Sequence, residues 1–504
     1  MKYFLPLAVS ATALAGYPHA EAQMRDVFRT RGDVSATPTM QLLHGTSCRP
    51  LSDARSLELE DAILQAICAN PRVHRAWADA RAQAAALGFV DAAYLPTLHA
   101  TAGIERDTLS TTYDYSALRA DSISQSQNTS SKYAMLNLSW VLFDFGKRGA
   151  AQRQARALLA AANASQDDTL QTVLFNAARA FYALRDAQAL LAAAQRSEAI
   201  AGESVAEASA KHKAGAGTLA DELQASTSFR RAVLDRVSAE GDVRAAAGAL
   251  AIAIGLDANT ALQIAPQERD PDALAELGAG IDQLIDEAKQ HRPNLIAARA
   301  KLDAARANVD AARAQGRPTI SLVGSLTQNN PSYQQQPQSI PITRSRGSMI
   351  GMQVTIPMFE GFASGYRVEQ TLAQADAQEA TLRDTELQAS LDVWTSYHGV
   401  QASAINLANS RDLLNDAQRA LDITRGRYKE GVGTFTELLN AQTAFADAQK
   451  QRVLAVSKWR AECLKLAASL GRLGIWSATR RDPESLSRLL DREGISEFGS
   501  LPGR

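Results

Sequence analysis

Cysteine, aromatic side chains and an excess of charge of either sign are all scarce in this chain of 504 residues. Three cysteines are too few for a disulfide scaffold or a multi-cysteine metal cluster. The 53 basic and 54 acidic residues give a formal net charge of −1, so the basic surplus that nucleic-acid-binding proteins need is missing. Aromatic residues make up only 6% of the chain, whereas alanine, the best helix former, is abundant. This composition disfavours all-β and disordered proteins and predicts a mainly helical fold.

Long apolar runs are missing from most of the chain. The N-terminal segment has one at residues 4–16, where it follows Lys2 and precedes the small-x-small pattern Ala-Glu-Ala of residues 20–22. This arrangement predicts a secretory signal peptide over residues 1–22, with a buried N-terminal helix as the alternative. Tyr17 stands where a lipoprotein signal would place cysteine, so no lipid anchor is expected. No later run reaches the roughly 18 apolar residues that a membrane-spanning helix needs.

After cleavage the chain would begin with a periplasmic extension, residues 23–56. Cys48 and Cys68 are 20 residues apart, and in an oxidising compartment a disulfide between them would hold this extension against the first helix. Such a bridge adds about 3 kcal/mol of stability by restricting the unfolded chain. Two unpaired thiols are the alternative. Cys463 lies in an apolar helical stretch and is expected to be a small buried hydrophobic residue.

The chain contains one set of motifs twice, which indicates an internal repeat. The first motifs recur at an offset of 222 residues: Asn70-Pro71 with Arg292-Pro293, and Leu95-Pro96 with Arg317-Pro318. The later motifs recur at an offset of 216 residues: Phe143 with Phe359, the turn 213–218 with 429–434, and Gly255 with Gly471. We expect a first repeat at 57–257, a linker at 258–280, a second repeat at 281–474 and a polar tail at 475–504. Two similar alanine-rich regions without a true repeat are the alternative.

Each copy is predicted to begin with a helix, at about 57–87 and at about 281–315, and to end with two very long helices. The stretch 147–213 contains no proline, and its apolar residues recur at three- and four-residue spacing. As a single helix it would be about 100 Å long, far beyond the usual three or four turns.

A short turn joins the two long helices of each copy. The two turns contain two glycines each: Gly215, Gly217, Gly431 and Gly433. Glycine ends helices because it adopts the left-handed conformation without strain. Thr218 and Thr434 are expected to cap the helices that follow, and the carboxylates three positions later, Asp221 and Glu437, would complete a capping box in each turn.

Four segments alternate apolar and polar residues, at 98–104, 134–142, 320–326 and 350–358. A period of two predicts strands, and about 9 to 11 residues are enough for a tilted strand to cross a bilayer. The polar stretches 107–132 and 328–346, which separate the strands of each pair, resemble the exposed loops of outer-membrane barrels. Two hairpins packed against helices in a soluble protein are the alternative.

Four strands per chain cannot close a membrane barrel, and an open sheet edge cannot lie in lipid. If the strands span a membrane, several chains must therefore share one barrel. A dimer would supply eight strands and a trimer twelve, and both barrel sizes are allowed.

Taken together, these motifs resemble the TolC-like outer-membrane factors, which are exit ducts of type I secretion systems and of tripartite efflux pumps. The resemblance covers about residues 57–474 and lies in ANPRV, HRPNL, the prolines before the strands, LSWVLFDFGKRGA, KAGAGTLADELQA and KEGVGTFTELLNA. It implies a homotrimer, mainly α, with a twelve-stranded β-barrel of four strands per chain in the outer membrane. A long α-helical barrel would continue this β-barrel through the periplasm.

The resemblance also assigns candidate sites. The two glycine turns would form the periplasmic tip, where Asp221, Glu437 and Asn440 would line the entrance and favour cations. Helix capping alone is the alternative role for Asp221 and Glu437. A membrane-boundary elbow between strand and long helix would contain these residues: Trp140, Phe143, Phe145, Gly146, Phe359, Gly361 and Phe362.

Enzyme motifs are missing from the sequence, which has no phosphate-binding loop, zinc-protease motif or nucleophile elbow. We therefore expect no enzyme activity, cofactor or metal, and no nucleic-acid partner. The resemblance implies an outer-membrane duct for a secreted protein, in contact with lipid and opened at its tip by an inner-membrane ABC transporter and a periplasmic adaptor, of the type that exports adenylate cyclase toxin or haemolysin. Small-molecule efflux of drugs or metals, a periplasmic coiled-coil adaptor without a pore, and an exported enzyme are the alternatives.

Overall fold

A computed structural model describes residues 26–34, 56–264 (apart from 116, 118 and 120), 280–330 and 345–471. Within these residues it contains eight α-helices and one antiparallel sheet of four strands. The prediction of a mainly helical chain with a few strands is therefore confirmed. The predicted signal peptide, Cys48 and the polar tail lie outside the described residues, as does most of the linker.

The helices and strands follow one another in the same order in the two halves of the chain. The first half has α1 (Leu59–Ala69), α2 (Pro71–Ala92), β1 (Thr97–Tyr113), β2 (Ile123–Phe143), α3 (Lys147–Lys213) and α4 (Leu219–Ala253). The second half has α5 (Ile281–His291), α6 (Pro293–Gln315), β3 (Thr319–Asn330), β4 (Ser345–Thr355), α7 (Ala363–Lys429) and α8 (Phe435–Ser469). Helices α3 and α7 both contain 67 residues, and α4 and α8 both contain 35.

The single helix expected at the start of each copy is in fact two helices. Asn70 and Arg292, which precede the prolines, have extended backbones with ψ of 122° and 124°. Proline disfavours the helical conformation of the residue before it and is itself well suited to the first helical position. The chain therefore stops one helix and starts the next at each X-Pro pair.

The long helices pack as two antiparallel hairpins, α3 with α4 and α7 with α8. Helix α3 also contacts α2, α6 and α8, so it joins the first copy to the second. Phe181 and Leu184 of α3 are fully buried with Leu250 of α4, whereas Leu407 of α7 packs with Trp459 of α8. None of the helices in the described ranges is both long and apolar enough to cross a membrane.

A glycine with positive φ follows each hairpin and lies against the first joint of its own copy. Gly255 (φ 83°) contacts the backbone of Ala69, and the Asn70 side-chain amide donates a 3.1 Å hydrogen bond to the carbonyl oxygen of Ala253. Gly471 (φ 74°) lies on the corresponding backbone at His291. Both hairpins are thus attached at their bases in the same way.

The register of the sheet aligns the four predicted apolar faces. Cross-strand pairs join Leu98 to Leu138, Leu136 to Leu326, and Leu322 to Met352. The even-numbered residues of the four predicted segments therefore form one continuous apolar surface, whereas the other side is mixed, with small and polar residues beside Met135, Val323 and Met349.

The first hairpin of strands extends well beyond its predicted length. Residues 107–132 were expected to form a loop, but most of them continue β1 and β2 as a paired ribbon. Some of its Ser, Thr and Asn side chains link the strands: the Thr108 hydroxyl donates a 2.7 Å hydrogen bond to Asn128, and the Thr112 hydroxyl a 3.3 Å hydrogen bond to Ser124. Both faces of the ribbon are polar, so the alternation of hydrophobicity that reveals a half-buried strand is missing.

The cysteines in the described residues differ in state. Cys68 is disulfide-bonded, and its predicted partner, Cys48, lies outside the described residues. Cys463 is free and buried in α8, where burial, with a smaller effect of the Glu462 carboxylate, raises the pKa of its thiol to about 12.

Substitution of Gly255 tests the joint at the base of the first hairpin. In Gly255→Ala the new Cβ would lie 2.7 Å from the carbonyl carbon of Ala69, on a backbone with positive φ, so we expect a loss of about 2 kcal/mol or more. The control is Gly202→Ala within α3, where the Cβ would lie at an ordinary 3.5 Å from Phe229 and helix propensity predicts a gain of about 0.5–1 kcal/mol. Thermal unfolding in detergent measures both, and equal effects would contradict this account.

Candidate functional site

The two glycine turns have the same geometry. Gly215 (φ 73°) and Gly431 (φ 78°) adopt the left-handed conformation that ends a helix. In the first turn the Ala216 amide donates a 2.8 Å hydrogen bond to the Lys211 carbonyl oxygen, which satisfies one of the free carbonyls of α3. A Cβ at Gly217 or at Gly433 would lie 3.0–3.1 Å from the preceding helix, so the second glycine of each turn permits close approach.

The three predicted entrance residues lie just beyond these turns, but in different environments. Asp221 takes part in a complete capping box, accepting a 2.8 Å hydrogen bond from the Thr218 hydroxyl. In the second turn the Glu437 amide donates to the Thr434 hydroxyl, but the Glu437 side chain does not close the box expected there. Its carboxylate instead lies 3.7 Å from the Arg427 guanidinium. Glu437 and Asn440 are both exposed.

The first helix hairpin contacts the second at this end of the molecule. The Lys211 ammonium donates a hydrogen bond to the carbonyl oxygen of Tyr428 and lies 3.8 Å from the centre of its ring. Below it, Tyr428 packs with Phe435 and Leu438 in an apolar cluster that includes Ala208 of α3. Burial, with the charges of Asp221 and Glu207, raises the pKa of Tyr428.

Two further polar contacts join α3 to the second hairpin a few turns above the tip. The Arg425 guanidinium of α7 pairs with the Glu203 carboxylate, and the Gln442 amide of α8 donates a 2.6 Å hydrogen bond to the Ser204 hydroxyl. We call these two contacts, together with that of Lys211 to Tyr428, the tip contacts.

Sequence reasoning missed the residues of the tip contacts. Its comparison of the two copies stopped at the turns themselves, although Tyr428 stands where the first copy has His212. His212 instead pairs with Glu222, 2.7 Å away on the same hairpin, and hydrogen bonds from His212 and Ser209 lower the pKa of Glu222. The replacement of His212 by Tyr428 between otherwise matching turns was the signal in the sequence that could have pointed to this contact.

At the other end of α3, the predicted elbow is a sharp corner between β2 and the helix. Phe145 (φ 52°) and Gly146 (φ 97°) are both left-handed, and so are Gly361 (φ 60°) and Phe362 (φ 64°) at the second elbow. The corner therefore needs two left-handed residues in succession, and glycine occupies a different one of the two positions in each copy.

The phenylalanine side chains of both elbows lie on the surface of the single chain. Phe143 and Phe145 contact each other edge to face at 4.7 Å, and Phe359 and Phe362 do so at 5.5 Å. Their relative exposures run from 41% to 75%. Such a cluster of exposed phenylalanines is unusual on a surface that faces water and suits the bilayer interface. Trp140, the remaining predicted residue, donates its indole hydrogen to the Tyr94 carbonyl oxygen at 2.9 Å.

The first elbow is held by an ion pair that the sequence analysis did not single out. Asp144 is buried and accepts a 2.7 Å hydrogen bond from Arg148. The same guanidinium donates to the carbonyl oxygens of Val141 and Leu142 at the end of β2, and lies 4.6 Å from the centre of the Tyr94 ring. Strand, corner and helix are therefore fixed by one side chain.

The second elbow has no equivalent of this arginine. Ser364 stands at the position that matches Arg148, and Glu360 at the position that matches Asp144. The Arg317 guanidinium of the second copy instead donates a 3.2 Å hydrogen bond to the Phe145 carbonyl oxygen, at the first elbow. Both arginines thus stabilise the same corner.

Comparison with known proteins assigns the chain to a family. A family model described as outer membrane efflux protein matches residues 62–256 and 284–472. The chain belongs to the outer membrane efflux protein family. It is 31% identical over 428 residues to protein CyaE of Bordetella pertussis, a match that covers 85% of this chain and 87% of the relative. It is 26% identical over 442 residues to the pyoverdine export outer membrane protein OpmQ of Pseudomonas aeruginosa, with 87% of each covered.

Solved structures of outer membrane channels share the fold. The Campylobacter jejuni CmeC channel superposes with a TM-score of 0.72 over 89% of this chain and 95% of that one, at 17% identity. The Vibrio cholerae outer membrane protein VceC superposes with a TM-score of 0.69 over 82% and 96%, at 20% identity. The predicted resemblance and the predicted location are therefore confirmed: this outer membrane efflux protein is a channel, not an enzyme, with a large periplasmic part.

Replacing Arg148 tests the elbow of this efflux protein. Arg148→Met keeps the length of the side chain but leaves Asp144 buried without its charged partner, which costs about 3–5 kcal/mol. The control is Arg153→Met, because Arg153 pairs with Asp310 on the surface, where an ion pair contributes about 0–1 kcal/mol. Chemical denaturation in detergent at pH 7 measures both variants.

The same variant predicts a pH dependence. Burial opposes ionisation of Asp144, but hydrogen bonds from Arg148 and its charge outweigh this and place the pKa below the ordinary value of 3.8. Because the folded pKa is the lower one, the stabilisation is present above pH 3.8 and is lost as the pH falls through the folded value. Wild type should therefore lose more stability than Arg148→Met between pH 7 and pH 3. Parallel losses would contradict this role for the pair.

Proposed function

We propose that three copies of this chain form one duct, the passive exit channel of a type I protein secretion system. The observation that carries the proposal is the open sheet: within the described residues, β1 and β4 have unpaired outer edges. An open edge cannot lie in lipid, and three sheets of four strands close a barrel of an allowed size.

The helical part gives independent support for several copies around one axis. Helix α4 has only three buried residues in the single chain, and large apolar side chains such as Leu234 and Val237 are exposed along it. In the second copy α7, which packs on α6 and α8, exposes Leu391, Trp394 and Ile405. Apolar surfaces of this extent mark interfaces, and contact between α4 of one copy and α7 of the next would cover both.

The tip contacts suit a closed entrance. They join the two hairpins of one chain by hydrogen bonds and charge, beside the apolar cluster that contains Ala208 and Tyr428, so breaking them weakens the attachment of α7 and α8 to α3. An inner-membrane ABC transporter and a periplasmic adaptor that dock at the tip would supply the energy to break them, since the chain has no nucleotide-binding motif.

The acidic entrance ring is weaker than a simple count of carboxylates suggests. The Asp221 carboxylate already accepts hydrogen bonds from Thr218 as part of the helix cap, whereas Glu437 is exposed near the second turn and has only a loose 3.7 Å contact with Arg427. In a trimer the three Glu437 carboxylates would supply most of the field that favours cations. Asn440 adds a polar but uncharged group on the next helical turn.

Two observations bear on the cargo. The N-terminal extension with Cys48 and Cys68 resembles that of exit proteins for large secreted toxins, and the 31% identity with CyaE exceeds the 26% identity with the pyoverdine exporter OpmQ. These support a protein cargo. The match to OpmQ, which covers 87% of both chains, favours small-molecule efflux as the second candidate function.

Removing the tip contacts tests the closed entrance. The double variant Lys211→Met/Arg425→Gln should raise single-channel conductance in planar bilayers, because two of the three tip contacts are gone. Arg153→Met, which changes a surface charge far from the tip, should conduct like wild type. A pure trimer that never conducts, even with both substitutions, would rule out the duct, as would recovery of the protein as a monomer without detergent.

Deleting the gene in its own host separates the two kinds of cargo. Loss of a secreted protein from the medium, restored by the wild-type gene, is the result expected for type I secretion. Unchanged secretion together with greater sensitivity to toxic small molecules would favour the efflux alternative. Co-purification of the trimer with its inner-membrane partners identifies the transporter and adaptor.

A further inference from the structure

A glycine and a tyrosine face each other at the outer end of the four-stranded sheet. Gly103 of β1 pairs directly with Tyr133 of β2, which pairs in turn with Asn329 of β3, itself opposite Ser345 of β4. Within the described residues this is the outermost row in which all four strands are paired. Gly103 and Tyr133 are odd-numbered and lie on the face opposite the apolar surface, the lumen side in the proposed duct.

The hydroxyl end of the tyrosine ring lies against the glycine. A Cβ built on Gly103 would be 2.6 Å from both Cζ and the hydroxyl oxygen of Tyr133, and 2.8 Å from Cε1. No side chain other than hydrogen fits between the ring and β1 at this point. An aromatic side chain that covers a cross-strand glycine in this way also shields its exposed backbone.

We propose that Gly103 is a cradle that holds the Tyr133 ring against the wall of the duct and so keeps the exit clear for cargo. This inference rests on the proposed function, because it takes the odd-numbered face as the lumen. Three such rings, one from each copy, would lie around the rim through which cargo leaves. Without the cradle each ring would project into that opening.

The second copy of the repeat shows the arrangement without a cradle. Ser325 and Met349 are the residues that match Gly103 and Tyr133, and they also pair directly across β3 and β4. Serine has a Cβ, and the Met349 side chain is 57% exposed, whereas Tyr133 is only partly exposed. The large residue is therefore held close to the wall only where glycine faces it.

The contact is suited to mutation because it involves the far end of a flexible side chain. A Cβ at Gly103 meets ring atoms of Tyr133 rather than backbone, so the sheet can keep its register while the ring turns away. A substitution at Gly103 should then change the opening of the duct more than it changes folding. Trimer yield and thermal stability on native gels report the folding effect separately.

Single-channel conductance tests the cradle. All variants are made in the Lys211→Met/Arg425→Gln background, so that the tip does not limit the current. Gly103→Val should conduct less than this parent, and Gly103→Val/Tyr133→Ala should recover the parent conductance because the displaced ring is gone. Ser325→Val is the matched control and should conduct like the parent. Gly103→Ala, a smaller change at the same site, replaces Gly103→Val if the valine variant does not assemble.

The outcomes separate this inference from the function on which it rests. Gly103→Val at the parent conductance, or a double variant that stays as low as Gly103→Val, overturns the cradle while the duct stands. An equal loss in Ser325→Val overturns it too, because bulk on the wall would then be the cause. A parent that forms no channel overturns the duct and the cradle together.

Discussion

The need to satisfy every backbone hydrogen bond in lipid governs the whole molecule. A sheet of four strands leaves two rows of unpaired amide and carbonyl groups, and in a bilayer each such group costs several kcal/mol. The sheet can therefore exist in the membrane only as part of a closed ring made by several chains. The long helices follow the same symmetry, since each α3 continues directly from a β2 strand through the elbow. In the proposed duct the strands thus set the positions of the long helices, and the single chain is one sector of the complete structure.

The two halves of the chain share one order of helices and strands, and side chains that differ between matching positions make the contacts at the elbow, the tip and the sheet. Arg148 stabilises only the first elbow, where Ser364 is its counterpart, and Tyr428 receives Lys211 at a position where the first copy has His212. The pairing of Gly103 with Tyr133 likewise has Ser325 with Met349 as its counterpart. Two copies of one backbone plan therefore hold different side chains at the elbow, at the tip and at the rim.

Much of the fold could be predicted from the sequence because its signals are local and periodic. The proline-free stretch 147–213 is one helix with the predicted ends, and the even-numbered strand residues share one face as their alternation indicated. The helix breaks at Asn70 and Arg292 also have a local signal, because a proline follows each of these residues. The polar ribbon beyond Glu105 had none, because period two is visible only when one face is buried. Residues of the tip contacts and of the elbow ion pair come together through tertiary packing, so spacing along the chain could not group them.

The equal lengths of the two hairpins restrict how such a protein can change. Adding one residue to a helix lengthens it by about 1.5 Å and rotates everything beyond the insertion by about 100°. An insertion confined to α3 would carry Glu203 and Lys211 out of line with their partners on the second hairpin and leave one turn hanging below the other. Only changes of whole helical repeats, made in all four long helices together, would preserve these contacts. The length of the two hairpins can therefore change without loss of these contacts only when both hairpins change together.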